Sequence, residues 1–273
     1  MPIFYLRNDD INILDDELVA VTRRATEADV PITHTVEPAN VTPDAAQWLL
    51  ETKAAAPRLL EIMQHGYDHV KRDKGEFGGN RPYDDQYRDL ARGKEIMLET
   101  FGEQLFSCLN FPFGPYNRHS MRAADDLGFR VISSHYNCRR SRRLMYAVGH
   151  LLRRGLILDR HVSYHLDFYP GTGMFCVDMA ISLIDKYIGP YGGRECVFHP
   201  FEEIRRRIDA FVQHTPVIGL LLHHRYHTDQ ESLDLVSRVL DYAQSLPGAR
   251  FMNMDEVYQQ HAPDPGKGFR DVG

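Results

Sequence analysis

Four cysteines in 273 residues, none in a C-x-x-C spacing, are too few to build a disulfide framework. Cys108, Cys138, Cys176 and Cys196 read as reduced thiols of a cytoplasmic protein. No uninterrupted apolar run approaches the length of a transmembrane helix. Basic residues are not in excess: 32 Lys and Arg against 38 Asp and Glu leave a formal charge of −6, which removes nucleic acid from the expected partners. The start, Met1-Pro2-Ile3-Phe4-Tyr5, lacks the basic residues, apolar stretch and small-residue cleavage site of a signal peptide, in keeping with a cytoplasmic location. No Ser/Gly-rich linker or low-complexity block divides the chain, so residues 1–261 are expected to form one domain, with 262–273 as a frayed Pro/Gly-rich tail. The hydrophobic content of 43% is ample for a core.

Strand-like and helix-like segments alternate. Residues 3–8 form a buried strand pattern, and Leu14, Leu18, Val21, Ala25 and Ala28 then share a helical face. A second strand is expected over 31–36, followed by a helix that opens on Thr42-Pro43 and carries Trp48 and Leu49. Residues 59–64 form a third strand that delivers His65 at its C-terminal end. The next helix places Tyr83, Tyr87, Leu90, Ala91, Met97, Leu98 and Phe101 on one stripe and stops at Gly102. Strands follow over 105–111 and 129–134, and the apolar run 217–222 reads as a strand buried on both faces. Thr228 and Glu231 have the spacing of a capping box, and 250–252 of a last short strand. Between 136 and 200 the pattern is blurred. This βα order implies a parallel sheet, as a barrel or a doubly wound sheet. Asp9-Asp10, His65, Gly114 and His223 each follow a different strand's C-terminal end, where barrels gather their chemistry, and this favours the barrel.

The residue types at those ends suit a hydrolytic metal centre. His65 and His69 stand four apart in His65-Gly-Tyr-Asp-His69, a spacing that on a helix puts both imidazoles about one turn apart. Asp9 and Asp10 end the first strand; a turn or helix cap is the plain reading, and a ligand plus a proton acceptor the functional one. Strand parity pairs Arg7 with Asp9 and sends Asp9 and Asp10 to opposite faces. His223, His224 and His227 are core histidines on the plain reading, with His223 also able to serve as a general acid. The turn 110–117 is either a loop or the source of a backbone N–H for an oxyanion.

Taken together, these residues resemble the polysaccharide deacetylase family, the NodB-homology group or family-4 carbohydrate esterases. Asp9-Asp10 looks like its first motif and His65-Gly-Tyr-Asp-His69 like its H-x-x-x-H second motif. Phe111-Pro112-Phe113-Gly114-Pro115-Tyr116-Asn117 resembles the third motif, and Leu221-Leu222-His223 the final Leu-x-His. The resemblance covers 3–135 and 217–258 and is poor between. It implies a distorted (β/α)7 barrel with a divalent metal, usually Zn2+, on Asp10, His65 and His69. Asp9 would be the base, His223 the acid, and the backbone N–H of Phe113 part of the oxyanion hole, for removal of acetyl groups from an amino sugar or glycan. Asn110 stands where many members carry an arginine that tethers the catalytic aspartate, a task that would pass to Arg7. The acidic fourth motif has no counterpart; Ser133-Ser134-His135 lies near its place without a carboxylate.

Two rival readings remain: a small-molecule amidohydrolase on the same fold, and a non-catalytic carbohydrate binder with a degenerate site. Asp68 and Glu76 read as surface salt-bridge formers, with support of the metal site as the alternative. Arg139, Arg140, Arg142, Arg143, Arg153 and Arg154 read as a solvated helical face, with an anionic glycan or lipid headgroup as the alternative partner. No oligomeric state follows from these residues.

Overall fold

A computed structural model describes residues 1–157, 162–189 and 193–262, so most of the expected C-terminal tail lies outside the described residues. The strands are β1 (Ile3–Ile11), β2 (Ile32–Val36), β3 (Leu60–His65), β4 (Leu105–Asn110), β5 (Val131–Ile132), β6 (Phe175–Cys176), β7 (Met179–Ser182), β8 (Ile184–Ile188), β9 (Glu195–Phe198), β10 (Val217–Leu222) and β11 (Arg250–Phe251). Eight of them hydrogen-bond in the order β6-β5-β4-β3-β2-β1-β10-β7, every pairing parallel, and β11 extends the foot of β1. The path closes because β6 and β7 are two ends of one stretch, 175–182. Its first part pairs with β5, and Val177 and Met179 donate to the carbonyls of Ile132 and Ser134 at 3.0 and 2.8 Å; its last part pairs with β10. With that stretch counted once and β11 set aside, the circuit is a distorted seven-stave barrel.

Side-chain alternation decides what each stave contributes. Along β1, Phe4 and Leu6 face the helix layer, whereas Ile3 and Tyr5 face the barrel interior; Arg7 and Asp9 continue the inner phase. The register carries this phase to Thr33 and Thr35 of β2 and to Glu61, Met63 and His65 of β3. Tyr5 occupies the space that a side chain on its register partner Gly219 would need, and its hydroxyl donates to the Val177 carbonyl at 3.2 Å. The interior therefore runs from an apolar foot to a polar mouth at the strands' C-terminal ends.

Outside, α1 (Asp16–Glu27), α6 (Phe201–Val212) and α7 (Gln230–Ser245) pack Val21, Ala25, Ile204, Ile208, Val236 and Leu240 against Leu6, Ile218 and Leu220. The opposite flank is covered by α2 (Pro43–Ala55), α3 (Tyr83–Phe101) and α4 (Arg118–Asp126), while α8 (Met254–His261) closes the foot with Met254 and Val257. No helix among the described residues is long and apolar enough to cross a membrane. Two expectations are corrected in detail. Helix α7 is capped by Asp229, whose carboxylate accepts from Ser232 N at 2.8 Å, and not by Thr228; a carboxylate is the stronger acceptor at a helix start. The buried stripe of α3 is Gln86, Leu90, Gly93, Met97 and Phe101, rotated so that Tyr87 and Leu98 reach solvent. The blurred stretch holds α5 (Arg140–Leu151), β6, β7 and an antiparallel ribbon of β8 with β9.

Candidate metal centre

Asp9 and Asp10 sit on a bulge. Between Asn8, paired with His34, and Ile11, paired with Val36, β1 takes one residue more than β2, and Asp10 adopts φ 68°. Strict alternation would send the two carboxylates to opposite faces; the extra residue turns both into one cavity at the barrel mouth. This corrects the simple parity picture for Asp10 while leaving it intact for Arg7 and Asp9. The Arg7 guanidinium grips Asp9 through Nε–Oδ1 at 2.7 Å and Nη2–Oδ2 at 2.8 Å, with both side chains buried. Thr35 donates to Oδ1 at 3.1 Å and Asn110 to Oδ2 at 3.3 Å. Burial pushes the Asp9 carboxyl up, but Arg7, then His65 and His223, pull it net below the usual carboxylate range. Arg7 is itself fixed by Nη1 donation to Ser133 Oγ at 2.7 Å.

His65 is the last residue of β3, and His69 comes back to it over a tight loop and not along a helix. Gly66 and His69 take φ 52° and 56°, which folds the chain back within four residues. Their Nε2 atoms lie 3.1 and 3.2 Å from Asp10 Oδ1, with ring centroids 5.0 Å apart. Gly66 is required: a Cβ there would strike the Glu76 carboxylate and the Pro112 ring. Glu76 is fully buried, not a surface residue as its sequence position suggests. Its Oε1 accepts from Tyr67 N and Asp68 N, both at 3.0 Å, which shapes this loop, and burial pushes its carboxyl up to about 8. Asp68 does pair at the surface, with Arg72 at 2.6 Å.

The ligand atoms of Asp10, His65 and His69 lie within 4.8 Å of one another, and all three residues are buried. One carboxylate and two imidazoles converging on a point suit a divalent cation of the zinc type with room for further ligands. Without an ion these atoms share protons. Burial drives His65 down, but its hydrogen bond to the Asp10 carboxylate and the Asp9 charge outweigh it and hold the imidazole up at about 9. Burial raises Asp10, while its bonds to His65 and His69 carry it well below the usual range. Glu37, one residue beyond β2, was not foreseen: its Oε1 lies 3.8 Å from His69 Nδ1 and its Oε2 accepts from Asn40 at 2.7 Å and Asn12 at 3.1 Å. The available signal was its place at a strand end of the barrel mouth.

His223 enters from the end of β10. The Tyr187 hydroxyl, carried over the mouth by β8, lies 3.4 and 3.5 Å from its two ring nitrogens. Burial pulls this imidazole below its ordinary value against the opposing charges of Asp10 and Asp9. A buried carboxylate does border 133–135: Asp178 accepts from Ser134 N at 2.6 Å and from Ser163 Oγ. His135 itself lines the cavity. Phe113 has φ 65°, stacks on His69 at 4.6 Å, and sits in a turn closed by Gly114 N to Phe111 O at 3.0 Å. The cavity holds about 540 Å³ and is walled by Tyr187, Ile188 and Tyr226 on the ribbon side. His224 and His227 are buried structural residues: His227 Nδ1 bonds Ser232 O at 3.1 Å, and burial lowers the two rings to about 3 and about 4.

No protein-family model matches the sequence, and the comparison with curated proteins finds no match. Solved structures do match. A Mycobacterium smegmatis protein described as a polysaccharide deacetylase superposes with a TM-score of 0.66 at 12% identity, over 95% of this chain and 89% of its own. A family 4 acetyl xylan esterase from Clostridium thermocellum, in complex with a cobalt ion, gives 0.56 at 12% over 94% and 91%. A peptidoglycan N-acetylglucosamine deacetylase bound to a hydroxybenzamide gives 0.56 at 14% over 94% and 87%. The chain therefore has the fold of the polysaccharide deacetylases and family 4 esterases.

Proposed function

We propose that the chain is a metal-dependent hydrolase that removes acetyl groups from an amino sugar or glycan. The observation that carries this reading is the Arg7-clamped Asp9 standing in the same cavity as the Asp10, His65 and His69 cluster. A divalent ion, with zinc the expected one, would be held by those three residues and would supply Lewis acidity and a more acidic water. Asp9, kept ionised by Arg7, accepts the proton of the attacking water. Four donors occupy its oxygens, and the longest contact, from Asn110 at 3.3 Å, is the one a water can displace. The backbone N–H of Phe113 donates to the oxyanion of the tetrahedral intermediate, and His223 delivers a proton to the departing amine or alcohol. The Glu37 carboxylate, 3.8 Å from His69 Nδ1, adds negative charge behind that ring, and the Tyr187 hydroxyl positions His223. The four unpaired cysteines support a reducing, cytoplasmic site of action.

The walled cavity of about 540 Å³ favours a compact substrate, a single sugar or a small amide, over the middle of a long polymer. The test is metal analysis beside turnover of acetylglucosamine, its oligomers and acetylated xylan. Asp9→Asn is expected to lower kcat by about 10²–10⁴-fold with metal retained, and Asp10→Ala to lose the metal. Full activity in Asp9→Asn, or a protein that binds sugar without metal or turnover, would sink the reading.

A further inference from the structure

The protein carries a net charge of −6, yet no Asp or Glu occurs between Asp126 and Asp159. That interval holds Arg139, Arg140, Arg142, Arg143, Arg153 and Arg154. Elsewhere the arginines of this chain are commonly engaged: Arg7, Arg72, Arg81, Arg92, Arg194 and Arg207 all face carboxylates within 3.0 Å. None of the six around α5 forms an ion pair among the described residues.

Helix α5 shows which way this charge points. Met145 and Tyr146 pack on the barrel, and Gly149 lies against the Tyr164 ring so closely that a Cβ would overlap the hydroxyl. The opposite side, at helical spacing, is Arg140, Arg143, Leu144, Ala147 and Leu151, all exposed. Leu144, Leu151 and Leu152 expose 67%, 82% and 56% of their surface, the first two exceeding every other large apolar side chain among the described residues except Met1. Among the described residues the helix pairs with an acid only through His150, 3.2 Å from Asp167 at the edge of the face.

We propose that this face docks on a membrane surface containing anionic phospholipids. A soluble polyanion would satisfy the arginines and leave three leucines in water. The headgroup boundary of a bilayer takes both, the guanidiniums at the phosphates and the leucines among the upper acyl carbons. With no membrane-crossing helix among the described residues, this contact is peripheral and reversible. The helix starts five residues after His135, which lines the cavity, so docking would bring the barrel mouth close to the lipid surface. The proposal stands independently of the reaction in that cavity.

Co-sedimentation of the full chain with phosphatidylcholine vesicles, with and without phosphatidylglycerol, tests it. Binding is expected only to the anionic vesicles and is reversed by high salt. Arg140→Glu with Arg143→Glu should abolish it, neutralisation of single arginines should weaken it roughly fivefold each, and Leu144→Ser with Leu151→Ser should weaken it about tenfold or more. The circular dichroism spectrum, unchanged in these surface variants, excludes misfolding. Failure of the wild-type chain to bind anionic vesicles overturns the proposal. So does undiminished binding by the leucine variants, which would mark a polyanion site instead.

Discussion

Arg7 spends its whole fork on Asp9 and Ser133, inside the barrel, where removing one charge strands the other. Arg7→Ala is expected to destabilise the protein by about 3–5 kcal/mol and, on the proposed function, to lower turnover by roughly 10²-fold or more, while metal content stays the same. Arg7→Lys should recover the charge but little of the rate, because an ammonium cannot make the bidentate contact. Asp9 has a depressed folded pKa, so its stabilisation is present above its unfolded value near 4 and is lost as pH falls through the folded value. Thermal melts of Arg7→Ala against wild type should therefore differ at neutral pH and converge in acid. His65 has the opposite sign. Held at about 9 without metal, it stabilises the metal-free chain fully below about 6.5, and that contribution fades as pH rises through 9. Over the same window metal must displace a proton, so affinity measured by calorimetry should rise about tenfold per pH unit; a flat profile would contradict the shared-proton picture. Asp9, Asp10, His65 and His223 were legible because each ends a strand pattern and bears a chemically distinctive group. Glu37 and Tyr187 were not. Glu37 is a lone carboxylate without a motif, and Tyr187 arrives on a ribbon, Ile184-Asp-Lys-Tyr-Ile188, with no apolar alternation to place it.

The 65–69 loop is the element on which the cluster depends. Gly66 is at φ 52° with Glu76 and Pro112 packed against its Cα. Gly66→Ala is expected to cost about 1–3 kcal/mol and, by moving His69, to lower metal affinity while leaving the rest of the barrel folded; unchanged metal binding would show that the loop has slack. The histidine spacing did bring both imidazoles onto Asp10, but a helix was the wrong vehicle. Four residues can bring two imidazoles together by a helical turn or by a strand end and a left-handed residue, and spacing alone does not separate these. The parallel strands β1, β2, β3, β4 and β10 were readable from their apolar runs, and the five-residue β8, mostly exposed, was not. The two-residue strands β5 and β11 fell inside expected segments, whereas β6 did not, since it holds its place through the register of 130–136 against 175–179 and carries too few residues to show a period.

For the molecule as a whole, the foot of the barrel is apolar packing and the mouth gathers the polar and titratable groups. Glu61 ties α8 to the foot: its carboxylate accepts from Thr33 Oγ1 at 2.8 Å, Met254 N at 3.0 Å and Asp255 N at 2.9 Å, and burial pushes it up to about 7. A carboxyl raised in the folded state contributes most below its unfolded value and loses ground as pH climbs from about 4.5 to about 7. Glu61→Ala should remove that slope and, by leaving two buried N–H groups unpaired, cost about 1–3 kcal/mol. Metal content and turnover should be untouched; loss of either would mean that foot and mouth are not independent. The mouth, meanwhile, concentrates left-handed backbone at non-glycine residues: Asp10 at φ 68°, His69 at 56° and Phe113 at 65°. Such conformations are tolerated for Asp and His and poorly for Phe. Phe113 is thus the rim residue least suited to its own backbone, and it is also the one stacked on His69. Selection for heat resistance alone would drift toward glycine there, and selection for turnover would hold the line, so the two pressures pull this rim in opposite directions.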